Sequence, residues 1–199
     1  KQIMENITNH YNVSKKDAKE QAEKMLELVG IPDPALCLKK YPHELSGGMR
    51  QRVMIAIALS GKPEVLIADE PTTALDVTIQ AQIIDLMKDI QKKLGTTILL
   101  ITHDLGVVAN IADRIVVMYS GKVMEKGTCE EIFFGHRHPY TWALLNAAPS
   151  LELERKQQLF SIEGTPPDLI HPPKGCPFAE RCKYCMSICT EVEPPEYEF

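Results

Sequence analysis

The chain has 199 residues, 25% charged and 44% hydrophobic, with 27 acids against 22 bases and a formal net charge of −5. Such a chain suits an ordinary globular fold with one sizeable core and an appendage, and it offers neither the basic surface of a nucleic-acid binder nor the footprint of an anionic-membrane binder. No apolar run approaches the roughly 18 residues that a spanning helix requires, so any membrane connection is expected to go through another protein.

Residues 1 to 60 read as helical. The start, Lys1-Gln2-Ile3-Met4-Glu5, has no signal-peptide layout and begins without Met inside a helical pattern, so the sequence reads as the later part of a longer chain. Ser14 followed by Asp17 resembles a capping box, after which Ala18, Ala22, Met25, Leu26 and Val29 recur at helical spacing until Gly30 and Pro32. In Leu45-Ser46-Gly47-Gly48-Met49-Arg50-Gln51-Arg52, Ser46 is a good N-cap and the paired glycines allow a close backbone approach. Met49, Val53, Ala56, Ile57 and Ser60 carry that helix onward, and Gly61-Lys62-Pro63 breaks it. A glycine-flanked helix start is a ready anion site, though the same residues also suit a plain capped helix.

Val65-Leu66-Ile67-Ala68 ends abruptly in Asp69-Glu70-Pro71. A short apolar run of this kind reads as a buried parallel strand that brings acids to its carboxyl end, where open α/β sheets bind ligands. One acid would suit a hydrated Mg²⁺ and its neighbour the attacking water of phosphoryl transfer. In isolation the run would equally fit a strand end with two solvated acids. Thr72 to Asp76 then turns into a long helix with Ile79, Ile83, Leu86 or Met87, Ile90 and Leu94 facing inward and Gly95 at its end. Thr96 to Thr102 is a second β-branched run ending in His103-Asp104, followed by a short helix through Ala112. Two strand-then-helix units predict a parallel sheet with both chemical ends on one edge, so that His103 lies near Glu70.

Strands over Arg114 to Tyr119 and Lys122 to Glu125 should meet at Ser120-Gly121, followed by a short helix from Glu130 to Phe134, then by His136-Arg137-His138-Pro139-Tyr140-Thr141 and a helix to Ala148. Pro149 marks a boundary, and the proline-rich tail from Leu151 to Phe199 should be extended and loop-rich.

The Leu45 to Arg52 stretch, then Leu66 to Pro71, then Ala74-Leu75-Asp76, then Thr102-His103-Asp104 resemble, in order and spacing, the signature motif, Walker B motif, D-loop and switch histidine of ABC transporter ATPases. Glu70 through Thr78, His138 to Thr141 and the Cys-containing tail look most like the ATP-binding subunits of oligopeptide and dipeptide importers, a group that also contains nickel importers. The resemblance implies a partial P-loop NTPase parallel sheet with a helical subdomain and a proline-rich, Cys-containing appendage. It divides the chain into a helical subdomain at 1–60, the later part of the ATPase core at 61–128, and a C-terminal extension at 129–199.

Residue by residue, the resemblance implies that Asp69 holds the Mg²⁺ water shell, Glu70 polarises the attacking water and His103 contacts the γ-phosphate. Ser46, Gly47, Gly48 and Gln51 belong to the signature end that meets the nucleotide of the opposite subunit, and Asp76 lies at the dimer interface. Such enzymes bury two ATP between two facing subunits, identical or paralogous, and drive two membrane-spanning permease subunits. An extracytoplasmic solute-binding protein is an indirect partner, and the location is peripheral at the cytoplasmic face of the membrane. No Gly-x-x-x-x-Gly-Lys-Ser/Thr occurs, so the chain alone should bind ATP poorly and its sheet should have an uncovered edge or face.

Of six cysteines, Cys176, Cys182, Cys185 and Cys189 form a C-x5-C-x2-C-x3-C run. Four thiolates at this spacing admit either Zn²⁺ or an iron-sulfur cluster, and the short final spacings together with the resemblance favour [4Fe-4S]. Cys37 and Cys129 read as packing residues, and His136 and His138 as surface or interface groups. Alternatives are an importer ATPase for nickel or another solute, an ABC ATPase of DNA repair or translation, and a non-catalytic metal-bound interaction module. The tail and the His138 to Thr141 stretch argue against the repair or translation class.

Overall fold

The structure, a computed structural model, describes residues 1–147 and 161–198. It contains two compact units, Lys1–Val107 and Val108–Phe199.

In the first unit, α1 (Gln2–His10) and α2 (Lys15–Leu28) pack together, and both lie on α4 (Gly47–Leu59). Ser14 caps α2 by accepting the Asp17 N–H at 3.2 Å, and Ala18, Ala22 and Leu26 form its buried stripe beside Ile3 and Ile7 of α1. Each such buried Leu or Ile contributes about 1.5–3 kcal/mol. A short α3 (Pro34–Cys37) buries Cys37, whose thiol pKa is pushed up by loss of solvent. Polar bonds tie the helices at their ends. Asn6 Nδ2 donates to the Ile57 carbonyl at 3.0 Å and to Ser60 Oγ at 2.7 Å, and Arg52 Nη1 donates to the Val29 carbonyl at 2.6 Å. The buried side of α4 is Ile55, Ala56, Leu59 and Ser60, where the sequence pointed to Met49, Val53, Ala56, Ile57 and Ser60. Contact with three helices makes the apolar stripe of α4 wide, and periodicity does not say which part of a wide stripe lies deepest.

β1 (Val65–Asp69) and β2 (Thr97–Ile101) pair in parallel, joined by α5 (Val77–Leu94) as the crossover. In α5 the deeply buried residues are Ile83, Ile84, Met87 and Ile90; Ile79 is half-buried and Leu94 exposed, so the inward face is rotated slightly from the expected one. Gly95 ends the helix in the left-handed region at φ +68°. β1 reads from the sequence as a buried strand in a sheet with an uncovered edge or face, and an uncovered face is present: Leu66 is buried while Val65 and Ile67 are exposed, and across the ladder Leu99 and Ile101 are exposed as well. The period-2 pleat puts those four on one face, and among the described residues nothing covers it.

The second unit begins within α6 (Leu105–Ile111) and continues into the antiparallel hairpin of β3 (Arg114–Tyr119) and β4 (Lys122–Thr128). Thr128 and Glu131 form a capping box that starts α7 (Cys129–Phe134). α8 (Pro139–Ala147) follows; Ala148, Pro149 and the beginning of the tail at Leu151 lie outside the described residues. The described tail, 161–198, is largely irregular, with one 3-10 turn at Ala179–Arg181 and α9 (Ser187–Glu191). It is not without a core. Phe178 is 2% exposed and packs with Tyr119, Ala143, Cys176 and Ala179, its ring 5.4 Å from that of Tyr119 and 5.1 Å from that of Tyr140. Arg181 closes this cluster by donating to the carbonyls of Ile162 at 2.8 Å and Glu163 at 2.9 Å and to the Tyr119 hydroxyl at 3.0 Å.

Candidate functional site

The register Asp69↔Ile101 brings both strands to their ends level with each other. The Glu70 N–H then donates to the Ile101 carbonyl at 2.8 Å, extending the ladder by one bond, and the chain turns sharply. Glu70 has φ +45° and Ala74 φ +63°, left-handed conformations that are uncommon outside glycine and held here by the surrounding bonds, including the Thr73 N–H to the Glu70 carbonyl at 3.2 Å. The strand end thereby presents the Glu70 side chain to the start of the loop after β2.

Both carboxylate oxygens of Glu70 are engaged. Oε1 lies 2.9 Å from His103 Nδ1, and Oε2 accepts from Thr73 Oγ1 at 2.7 Å. The Thr73 hydrogen bond first, and that of His103 second, hold the Glu70 carboxyl below its ordinary pKa, so it is ionised at neutral pH. An ionised carboxylate with a neighbouring imidazole can orient a water molecule and take its proton. Asp69, the last residue of β1, is exposed beside it, the setting in which an oxygen ligand can share a hydrated divalent cation. The expected approach of His103 to Glu70 is therefore present at hydrogen-bond distance.

The glycine-rich stretch has a definite geometry of its own. Ser46 caps α4 by accepting the Met49 N–H at 3.3 Å, and Gln51 lies half-buried one turn further on. Asp76 caps α5 by accepting the Ile79 N–H at 3.0 Å. The two helix starts abut at Gly48, where an added Cβ would stand 2.8 Å from Ile79 Cγ2. Gly48 thus has a packing reason for being glycine, independent of any ligand. Among the described residues, no hydrogen bond links Ser46, Gly47, Gly48 or Gln51 to Glu70 or His103.

In the second unit, the four cysteines of the tail approach one another. The Cys176 N–H donates to the Cys189 carbonyl at 2.8 Å, and a Cβ on Gly175 would collide with the Cys189 backbone, so only glycine permits this crossing. Cys176 is buried, Cys182 and Cys189 are half-buried and Cys185 is exposed. Loss of solvent first, and then the neighbouring thiols, raise the pKa values of Cys182 and Cys185. Among the described residues no three His, Cys, Asp or Glu side chains stand in a metal-holding arrangement.

Two residues that engage side chains at the strand ends were not singled out from the sequence: Thr73, whose hydroxyl donates to Glu70, and Gln80 of α5, whose Nε2 donates to Asp104 Oδ2 at 2.8 Å. Each touches a partner through a turn or across elements, and no spacing rule reports that. His138, expected as a surface or interface group, is half-buried. Its Nδ1 accepts the Tyr140 N–H at 3.0 Å, and burial lowers its pKa, so it serves as a neutral cap for α8. Glu125 accepts the N–H groups of Arg137 at 2.5 Å and His138 at 3.3 Å, fixing the entry to that helix.

Comparison with known proteins adds relatives to this geometry. The ABC transporter family model matches residues 1–73, an AAA domain model residues 40–109, and the model for the oligopeptide/dipeptide transporter C-terminal region residues 124–189. Oligopeptide transport ATP-binding protein OppD of Bacillus subtilis is 59% identical over 198 residues, 100% of this chain and 55% of that protein. Dipeptide transport ATP-binding protein DppD of the same organism is 56% identical over 97% of this chain and 57% of that one. The chain thus spans little more than half the length of these relatives. Among solved structures, cbiO1 from Clostridium perfringens, part of an ABC transporter complex, superposes with a TM-score of 0.57 at 35% identity, covering 66% of this chain and 51% of that one. A dimeric ATP-binding cassette in a post-hydrolysis state bound to ADP and Pi gives a TM-score of 0.54 at 30% identity, covering 62% and 53%.

Proposed function

We propose, from its similarity to ATP-binding proteins of oligopeptide and dipeptide ABC transporters, that the chain belongs to their family and that the whole protein is the ATP-hydrolysing subunit of an importer for short peptides. The observation that carries this reading is the ionised Glu70 carboxylate 2.9 Å from His103 at the shared end of two parallel strands.

In this mechanism Glu70 accepts the proton of the attacking water through one carboxylate oxygen, while Thr73 fixes the other. His103, on the neighbouring strand end, contacts the γ-phosphate and holds the transition-state geometry. Asp69 is suited to the water shell of Mg²⁺, which when bound would neutralise charge developing on the phosphates. Ser46, Gly47, Gly48 and Gln51 present the capped start of α4, with its free N–H groups, to the nucleotide of a facing subunit, and Asp76 lies in that interface. The partners are a second ATPase subunit, identical or paralogous, and two permease subunits, with a solute-binding protein acting indirectly at the other face. Among the described residues no helix is long and apolar enough to cross a membrane; the similarity to importer ATP-binding proteins is what supports attachment through the permease subunits at the cytoplasmic face. We retain the division into 1–60, 61–128 and 129–199 as helical subdomain, later ATPase core and importer-type extension.

The test is ATP hydrolysis by the protein of full length, assembled with its partners in lipid vesicles. Activity abolished by Glu70→Gln is the expected result, and activity indifferent to that change would remove Glu70 as the base.

For the tail we propose that Cys176, Cys182, Cys185 and Cys189 take up a soft metal centre, a [4Fe-4S] cluster, with Zn²⁺ as the alternative. Their sequence spacing supports this, while among the described residues the thiols do not stand in a metal-holding arrangement. Anaerobic purification with iron, sulfide and zinc analysis decides between the two, and protein devoid of all three would refute it.

A further inference from the structure

Gln80 sits one turn into α5, where its backbone N–H donates to the Asp76 carbonyl at 2.8 Å. Its side-chain Nε2 reaches across to Asp104 Oδ2, also at 2.8 Å. The other oxygen of Asp104 accepts the N–H groups of Gly106 at 2.8 Å and Val107 at 3.1 Å, closing the first turn of α6. The Asp104 N–H in turn donates to Thr102 Oγ1 at 3.1 Å. His103 therefore stands between two neighbours locked in one small ring of hydrogen bonds, and Gln80 ties that ring to α5. The imidazole itself is 78% exposed, so its direction is set by its backbone and by the bond to Glu70 more than by packing.

We propose that Gln80 is a positioning residue for ATP hydrolysis: by clasping Asp104 it fixes the backbone at His103 so that the imidazole remains within reach of the Glu70 carboxylate. Gln80 touches no reacting atom. The side-chain chemistry is specific, because an amide donates to Asp104 without adding charge, whereas a glutamate would set carboxylate against carboxylate. The clasp also links the loop of His103 to the helix that Asp76 caps. The inference rests on the ATPase reading above.

The experiment measures steady-state ATP hydrolysis by the full-length protein assembled with its partner subunits, with Glu70→Gln as control. Gln80→Ala and Gln80→Glu should each lower kcat about tenfold, equivalent to about 1.4 kcal/mol, and leave the KM for ATP within about twofold. The double variant Gln80→Glu with Asp104→Asn reverses the polarity of the clasp. The new amide at position 104 donates to the new carboxylate while its oxygen still accepts from Gly106 and Val107, and most of kcat should return. Parental kcat in Gln80→Ala, a loss confined to KM, or a double variant as slow as Gln80→Glu would each overturn the inference while leaving the ATPase reading intact. A parental protein without ATPase activity, or full activity in the Glu70→Gln control, would overturn the ATPase reading and the inference with it.

Discussion

Replacing Gly48 by alanine tests whether the start of α4 is shaped by packing. The new Cβ would lie 2.8 Å from Ile79 Cγ2, where carbon atoms ordinarily stand about 3.5–4.0 Å apart. Ile79 cannot simply swing aside, because a β-branched side chain on a helix has essentially one χ1 well, so the two helix starts must move apart. Overpacking of this kind costs about 1–3 kcal/mol, and alanine returns at most about 1 kcal/mol over glycine in a helix. The net expectation is a destabilisation of about 1–2 kcal/mol, or about 3–6 °C in Tm for a chain of this size. Urea unfolding at constant m value measures it. Ile79→Ala in the same background should show a favourable coupling of about 1 kcal/mol in a double-mutant cycle. A Gly48→Ala protein as stable as the parent would refute the packing argument. If Ile79→Ala restores stability but ATP hydrolysis stays low, Gly48 also serves the nucleotide.

Phe178→Ala should cost about 3–5 kcal/mol, since the ring is almost fully buried among Tyr119, Tyr140 and Ala143. Fluorescence of Trp142, the single tryptophan, follows the loss, and a cost below about 1 kcal/mol would contradict the assigned core. His138 is kept neutral by burial, its folded pKa lying below the unfolded one. The unfolded chain therefore binds the extra proton first, and the second unit should lose stability as pH falls below about 6.5. His138→Gln, which can still accept the Tyr140 N–H, should flatten that slope, and an unchanged slope would assign it elsewhere. Thr73→Val removes the largest influence that lowers the Glu70 carboxyl pKa, so an NMR titration of that carboxyl should move upward. No movement would mean that Thr73 does not hold Oε2.

The sequence made the frame of the site readable because its determinants are local. Ser14, Ser46 and Asp76 lie three residues before the N–H groups they cap, and two apolar runs ending in polar residues leave little choice but parallel strands with their ends together. Contacts made across elements were less legible. Which residues of α4 lie deepest depends on where α1, α2 and α5 press, and Gly48 is glycine partly because of Ile79, a residue on another helix. The tail read as extended and loop-rich, and its anchoring by Phe178 was not visible because the aromatic partners lie on β3 and α8, far away in sequence. The capping role of His138, read as a surface or interface group, was hidden for a related reason. A histidine between Arg137 and Pro139 looks exposed until the bond from the Tyr140 N–H and the burial of its ring are seen.

Val65, Ile67, Leu99 and Ile101, at 54%, 64%, 53% and 47% exposure, give the β1–β2 ladder a flat aliphatic side. An exposed apolar face of this kind favours association of the described polypeptide. Salts that strengthen apolar association should precipitate it early, hydrophobic chromatography should retain it, and apolar dyes should brighten on it in the native state. In a cell, such a surface is what holdase chaperones recognise, so newly made chains displaying it are candidates for capture before any assembly begins.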